Sequence, residues 1–218
     1  MTIEKMLVIV DMLNDFVENR KLNGKDYRNA LTIKGSAEII YNNKALVNYY
    51  SKKGNAKVIF IRDAHYLTDP VSLKEFSVYG EHCVINTFGA ELIEELKYKT
   101  VDIGIEDKIS PNKILELSDF VAFEKNATSM NVSLPGMKFF SYLFNKNPGI
   151  EVYITGLISG ICVKDAFNAL KELGYKNLFV VKDATKGLTI DGVECTAKDL
   201  EELSNNGARI ITAKEAMQ

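Results

Sequence analysis

Met6-Leu7-Val8-Ile9-Val10-Asp11 decides how the rest of the chain is read. Five consecutive apolar residues end on a carboxylate. Such an unbroken apolar run is too short for a helix and does not alternate as a half-exposed strand would. It suits a strand buried on both faces, as in a parallel sheet. Similar short runs recur at Val58–Ile61, Phe120–Phe123, Val152–Ile154, Leu178–Val181 and Ile210–Ile211. Between them the pattern predicts helices over Ala37–Lys53, Gly136–Asn145, Cys162–Leu173 and Thr196–Ser204. The first stops at Gly54, the third at Gly174 and the fourth near Gly207, and the second follows Pro135. Proline before the first turn and glycine just past the last one are helix boundary marks. The alternation of strand and helix predicts an α/β fold with three α-β-α layers and a mostly parallel six-stranded sheet. Residues 64–118 are more polar and read as a long connection within one domain spanning 1–218.

Composition narrows the function. The chain has 218 residues, with 27 Lys plus Arg against 29 Asp plus Glu, a net charge of −2. It carries no basic field for nucleic acid or a membrane surface. Apolar residues at 46% and charged residues at 26% are ordinary for a globular protein. No apolar stretch reaches the 18 residues that would suggest a membrane span, and Met6–Val10 is too short for a signal-peptide core. Cys83, Cys162 and Cys195 are odd in number and lack CxxC spacing, which suits a reducing compartment. A cytoplasmic location is expected.

In open α/β sheets, ligands bind at the carboxyl ends of the strands. The residues that follow the predicted strands are therefore the ones to inspect. Asp11 follows the first; Asp63 and His65 follow the second; Lys125 follows the third; the turn TGLISGIC, carrying Cys162, follows the fourth. A cysteine at a helix start beside a lysine should have a lowered pKa. A nearby carboxylate can take its proton, and turn N–H groups can face a developing oxyanion. Asp11, Lys125 and Cys162 thus make a set for acyl transfer. Each residue also has a plain alternative: a turn or cap residue, a solvated strand end, and a small core residue. Asp11 and Lys125 at strand ends should be replaceable with little effect on folding.

The only two histidines, His65 and His82, lie in one segment. Asp63 and His65 are two apart, so extended backbone puts them on one face. With Glu75 and His82 they supply two imidazoles and two carboxylates, a donor set for Zn²⁺, Mn²⁺ or Fe²⁺. The alternative is a pair of surface histidines in a polar loop. Cys83 and Cys195 read as structural or incidental, and Glu91, Glu94 and Glu95 as a solvated helix face.

The segments LVIVDMLNDFV, IFIRDAH, EHCVINTFGAEL, FEKNATS and TGLISGICVKDAFNAL, in this order, resemble the isochorismatase-like cysteine hydrolases, and among them the metal-containing nicotinamidases. The resemblance implies Asp11 as general base, Lys125 as catalytic lysine and Cys162 as nucleophile. It also implies a cis peptide at Leu157–Ile158, with an oxyanion hole from the N–H groups of Ile158 and Cys162. Asp63, His65 and His82 match metal ligands, and Glu75 has the spacing of an additional one. Isochorismatase itself is disfavoured, since that branch lacks the nucleophilic cysteine. Phe16 and Tyr79 are candidates for the substrate pocket. Two features depart from the pattern. Tyr79-Gly80-Glu81-His82 replaces a Trp-Pro-x-His tetrad, and Gly160 stands where an Asp is common.

The expected function is deamidation of nicotinamide to nicotinate and ammonia through a cysteine thioester, in NAD salvage. Zinc is the expected metal, with manganese or iron as alternatives, and a homo-oligomer is expected. Other possibilities are a cysteine amidohydrolase for another small amide or ureido compound, a catalytically silent metal-binding module, or a redox-sensing thiol protein.

Overall fold

The computed structural model describes residues 2–29 and 31–218. In chain order the strands are β1 (Lys5–Val10), β2 (Arg20–Leu22), β3 (Lys25–Tyr27), β4 (Ala56–Asp63), β5 (Val101–Ile103), β6 (Phe120–Lys125), β7 (Glu151–Leu157), β8 (Asn177–Lys186), β9 (Thr189–Ile190), β10 (Val193–Glu194) and β11 (Arg209–Ile211). The helices are α1 (Ile40–Tyr50), α2 (Pro70–Tyr79), α3 (Pro111–Leu117), α4 (Leu134–Lys146), α5 (Lys164–Glu172), α6 (Thr196–Asn205) and α7 (Ala213–Ala216).

The main sheet has seven strands in the order β11-β8-β7-β1-β4-β6-β5, where six were expected. Every pairing in it is parallel. All six predicted runs lie within strands of this sheet. The seventh is β5, an edge strand of three residues with exposed Asp102 at its centre. So short and polar an edge leaves almost no apolar run to read, which is why residues 64–118 passed for a connection. That stretch also holds α2 and α3. Of the glutamates read as a helix face, Glu91 precedes a short 3₁₀ turn at Glu94–Leu96, and Glu94 and Glu95 begin it, with Glu95 paired to Arg20.

The run at 6–10 is buried along its whole length because both of its faces are covered. Met6, Val8 and Val10 face one core with Ile59, Phe123, Phe139 and Phe167. Leu7 and Ile9 face the other with Phe60, Leu46, Tyr50 and Ala213. This alternation within an all-apolar run follows from side chains pointing to opposite faces of a strand.

Strand order reverses around β1, so β4 leaves on one side and β7 on the other. Such a reversal opens a crevice at the carboxyl ends. At the mouth of the crevice Gly156 pairs with Val10. Its φ is 103°, and a Cβ there would sit 2.0 Å from the Val10 carbonyl oxygen. Only glycine fits. Gly156→Ala is expected to lower stability by at least about 2 kcal/mol from left-handed strain and this overlap together, read as a shift in the urea midpoint. A stability equal to wild type would show that β1 and β7 need not approach so closely.

Candidate active site

β4 and β6 pair in register with Asp63 opposite Lys125. The ion pair between them is thus set by sheet register alone. Lys125 Nζ contacts Asp63 Oδ1, lies 2.9 Å from Asp11 Oδ2 and 3.7 Å from Cys162 Sγ. Asp11 leaves β1 in a left-handed conformation, φ 51°, which an aspartate tolerates better than most residues. Its Oδ1 accepts the Asp63 backbone N–H at 3.0 Å. Asp11, Asp63, Lys125 and Cys162 are all at most 4% exposed. Lys125 is therefore a buried cation between two buried anions, and not a solvated strand end.

Electrostatics follow from this packing. Burial and the neighbouring Asp63 charge push the Asp11 carboxyl up to about 7, against the pull of Lys125. Burial opposes the charge of Asp63 too, but Lys125 and His65 outweigh it and bring that carboxyl to about 2. Burial likewise works against the Lys125 charge, yet Asp11 and Asp63 hold its pKa well above the usual value. The expected low-pKa thiol is not found. Burial pushes the Cys162 thiol well up, and the two carboxylates oppose the help that Lys125 gives. Cys162 also does not begin the helix. It is the fourth residue of a π-turn, Ser159–Val163, that leads into α5. The peptide Leu157–Ile158 before that turn is cis. The turn is braced by Asp199 of α6, whose Oδ2 accepts from Ser159 Oγ at 2.5 Å. An Asp199 carboxylate oxygen lies 2.6 Å from where a Gly160 Cβ would be, so α6 delivers a carboxylate beside the glycine that departs from the family pattern.

The second cluster is built around the end of β4. Asp63, His65, Glu75 and His82 each offer an atom within 4.8 Å of the others. His82 Nε2 lies 3.6 Å from Glu75 Oε1 and 3.9 Å from Asp63 Oδ2; His65 Nε2 lies 3.9 and 3.8 Å from the same two atoms. These spacings are too long for hydrogen bonds. They are close to the edge of a coordination shell, about 3.4 Å for tetrahedral ligands some 2.1 Å from a metal. Asp63 Oδ2, His65 Nε2 and His82 Nε2 are buried without a hydrogen-bond partner. His82 Nδ1 donates to the Gly80 carbonyl at 2.8 Å, which turns its Nε2 lone pair toward the carboxylates. Buried polar atoms rarely lack partners. Two bare imidazole nitrogens and two carboxylates therefore fit a divalent transition metal. The histidines are not a surface pair: His65 is 0% and His82 1% exposed.

Backbone pairing carries His82 to this place. His65 N–H donates to the Cys83 carbonyl at 2.9 Å, and Ile85 N–H to the His65 carbonyl at 2.9 Å. The loop is also tied to the exit of β1, because Asp15 accepts from the Cys83 N–H at 2.6 Å and from the Tyr27 hydroxyl at 2.5 Å. All three cysteines are free thiols. Cys83 is buried and helps hold this loop through its backbone.

One small pocket joins the two clusters. Cys162 is on one wall, with Asp63, Glu75 and His82 on another. Phe16 and Tyr79 both line it, at 5.5 and 6.5 Å from the His82 ring. Leu31, Thr128, Ile158 and Ile161 complete it. Leu31, Thr128, Ile161 and the ring of Phe76, 5.2 Å from His65, were not expected from the sequence. Phe76 could have been found through α2. Asp69 followed by Pro70 is a helix start, and from it Ser72, Glu75, Phe76 and Tyr79 recur at helical spacing.

A three-layer α/β fold with a thiol, a base and a lysine at the strand-order reversal, and a metal-type cluster in the same cavity, describes a class of enzyme-like sites. Comparison with known proteins narrows it. Residues 5–118 match the model of the isochorismatase domain, and the chain belongs to the isochorismatase family. It is 26% identical to the nicotinamidase of Saccharomyces cerevisiae over 237 aligned residues, covering 95% of this chain and 99% of that one. Among solved structures, pyrazinamidase of Pyrococcus horikoshii in complex with zinc is 26% identical, with a TM-score of 0.66 and coverage of 96% and 99%. An isochorismatase-like hydrolase of Alkaliphilus metalliredigens is 22% identical, with a TM-score of 0.70 and coverage of 99% and 98%. No helix of the described residues is long and apolar enough to cross a membrane.

Proposed function

We propose that this protein is a cysteine amidohydrolase that converts nicotinamide to nicotinate and ammonia. The observation that carries the reading is the shared cavity: the thiol and the metal-type cluster open onto one small space, and the buried base Asp11 lies within 4.8 Å of the thiol behind it. Its walls hold no arginine or lysine, while Asp63 and Glu75 bring negative charge. A substrate carboxylate would find no cationic side chain there to pair with, and a small neutral ring amide needs none. The similarity to a nicotinamidase and to a zinc-bound pyrazinamidase supports the same reading.

Asp63, His65, Glu75 and His82 would hold a divalent metal, zinc first and manganese or iron otherwise. Once bound, the metal supplies a Lewis-acid position that a ring nitrogen can occupy. The chain's own residues do the rest. Asp11, with its pKa near neutrality, takes the Cys162 proton as sulfur attacks the amide carbon. The N–H groups of Ile158 and Cys162 stabilise the oxyanion, about 3–4 kcal/mol per donor. Asp11 returns the proton to the leaving nitrogen, ammonia departs, and a thioester remains. Asp11 then takes a proton from water, which attacks the thioester; nicotinate leaves, and the proton returns to sulfur. Lys125 holds Asp11 in place and balances the negative charge as it moves between oxygen and sulfur. The setting we propose is NAD salvage in the cytoplasm, with the protein as a homo-oligomer.

The test is ammonia release from nicotinamide, pyrazinamide, benzamide and a carboxylate-bearing ureido compound, with and without chelator. Nicotinamide is expected to exceed benzamide by at least about a hundredfold, because a site built to ligate a ring nitrogen rejects the analogue without it. Chelation should remove most of that preference. Equal rates on the two amides, or turnover confined to the ureido compound, would overturn the substrate assignment.

A further inference from the structure

His65 presents one nitrogen to the metal-type cluster and the other to Ser72. Its Nδ1 lies 3.4 Å from Ser72 Oγ. Ser72 is fully buried, and its hydroxyl has one proton to give. Three groups surround that hydroxyl. Asp69 Oδ2 lies 2.9 Å from it, the Tyr66 backbone N–H donates to it at 3.1 Å, and His65 Nδ1 is the third. Asp69 is held ionised as the N-cap of α2. Its carboxyl lies below the usual range, first through the Ser72 backbone N–H, which donates to Oδ2 at 2.9 Å. An ionised carboxylate only accepts, so the hydroxyl proton goes to Asp69. The oxygen then has only lone pairs left for the other two groups, and it accepts from both.

We infer that Asp69 and Ser72 form a relay that fixes His65 as its Nδ1–H tautomer, leaving the Nε2 lone pair facing Asp63 and Glu75. Both are positioning residues and neither faces the substrate. The relay extends to the catalytic strand, because Asn126, next to Lys125, donates to the same Asp69 oxygen at 2.8 Å. His82 reaches the same tautomer by simpler means, since its Nδ1 faces a backbone carbonyl, which has no proton to offer. α2 thus serves the site at two positions on one face: Ser72 sets a histidine tautomer and Glu75, three residues on, offers a carboxylate. Fixing the second nitrogen of a ligand histidine in this way is a recurrent means of tuning metal sites. The inference rests on the metal reading proposed above only for its effect on affinity; the tautomer itself is a property of the metal-free protein.

The experiment uses the full chain and two measurements. The first is the ¹⁵N spectrum of the His65 and His82 rings without metal, at a pH high enough for both rings to be neutral. The second is zinc affinity, by competition with a chelator. Wild type is expected to show Nδ1–H at both rings. Ser72→Ala keeps the backbone cap of α2 and removes only the hydroxyl. It should lose the His65 preference, leave His82 unchanged and weaken zinc binding by about 10- to 100-fold. Asp69→Ala frees the hydroxyl to donate to Nδ1 and should shift His65 toward Nε2–H. It also provides a second route if Ser72→Ala does not fold. Asp69→Asn, which keeps an oxygen facing Ser72, should retain the wild-type tautomer. A helix-capping role alone would leave the His65 spectrum of Ser72→Ala unchanged, and that result would overturn the relay. So would Nε2–H in wild type, whereas a shifted tautomer with unchanged zinc affinity would uphold the relay and overturn only its effect on metal binding. A wild type that binds no zinc would instead overturn the metal reading, and the ring spectra would then decide the relay alone.

Discussion

Cys162→Ala should reduce amide hydrolysis by roughly 10⁴-fold or more, the scale on which hydrolases lose turnover when the nucleophile is removed. The effect should fall on kcat. The cavity keeps its walls, and zinc affinity should stay within about threefold of wild type, because the sulfur lies outside the four-residue cluster. Stability should change little, since a single sulfur atom is removed. The variant is read by ammonia release, with zinc affinity and urea unfolding alongside. Wild-type turnover in Cys162→Ala would end the thioester mechanism. A large loss of zinc binding would mean that the two clusters are one.

The second large effect is on stability. Lys125→Ala should destabilise the metal-free protein by about 3–5 kcal/mol, because it leaves Asp11 and Asp63 buried without their cation. Turnover should also fall by at least about a hundredfold. Asp11→Asn should match that loss of turnover while unfolding at close to the wild-type urea concentration, since it removes one of two anions and keeps the cation paired with the other. Equal stability of Lys125→Ala and wild type would show that the carboxylates find other compensation. The sequence alone suggested that both substitutions would spare the fold, because strand ends are usually solvated. Here the strand ends lie beneath the pocket floor, and Lys125 is 0% exposed.

What could be read in advance followed from periodicity. The runs at 6–10, 58–61, 120–123, 152–154, 178–181 and 210–211 all lie within strands, because burial on both faces makes a parallel strand uniformly apolar. The positions just past these runs then pointed to Asp11, Asp63, Lys125 and Cys162, and sheet register brings them together. Three elements of the 64–118 stretch escaped, and α3 did so because its seven residues bury only Ile114. β5 is too short and too polar to show a pattern. α2 has the reverse of the usual pattern, with Val71, Leu73 and Val78 exposed while Ser72 is buried and Glu75 and Tyr79 line the cavity. A helix whose inward face is chemical reads as a loop to any test that looks for an apolar stripe. Leu31, Thr128 and Ile161 join the cavity only through long-range folding and carry no local mark. The acidity of Cys162 was misjudged for a related reason. A strand-end lysine and a predicted helix start give no measure of burial, and burial outweighs the pull of Lys125.

Asp63 has one oxygen on the Lys125 ammonium and the other among the bare nitrogens of the histidines. In genetic terms that carboxylate makes the two halves of the site epistatic. Whatever occupies one side changes the charge available to the other, across a single rigid group. Losses caused by substitutions at Lys125 and at His82 therefore need not add, although neither residue touches the other. A phenotype at Asp63 belongs to both halves at once, and catalysis and metal retention in this protein would be selected as one trait.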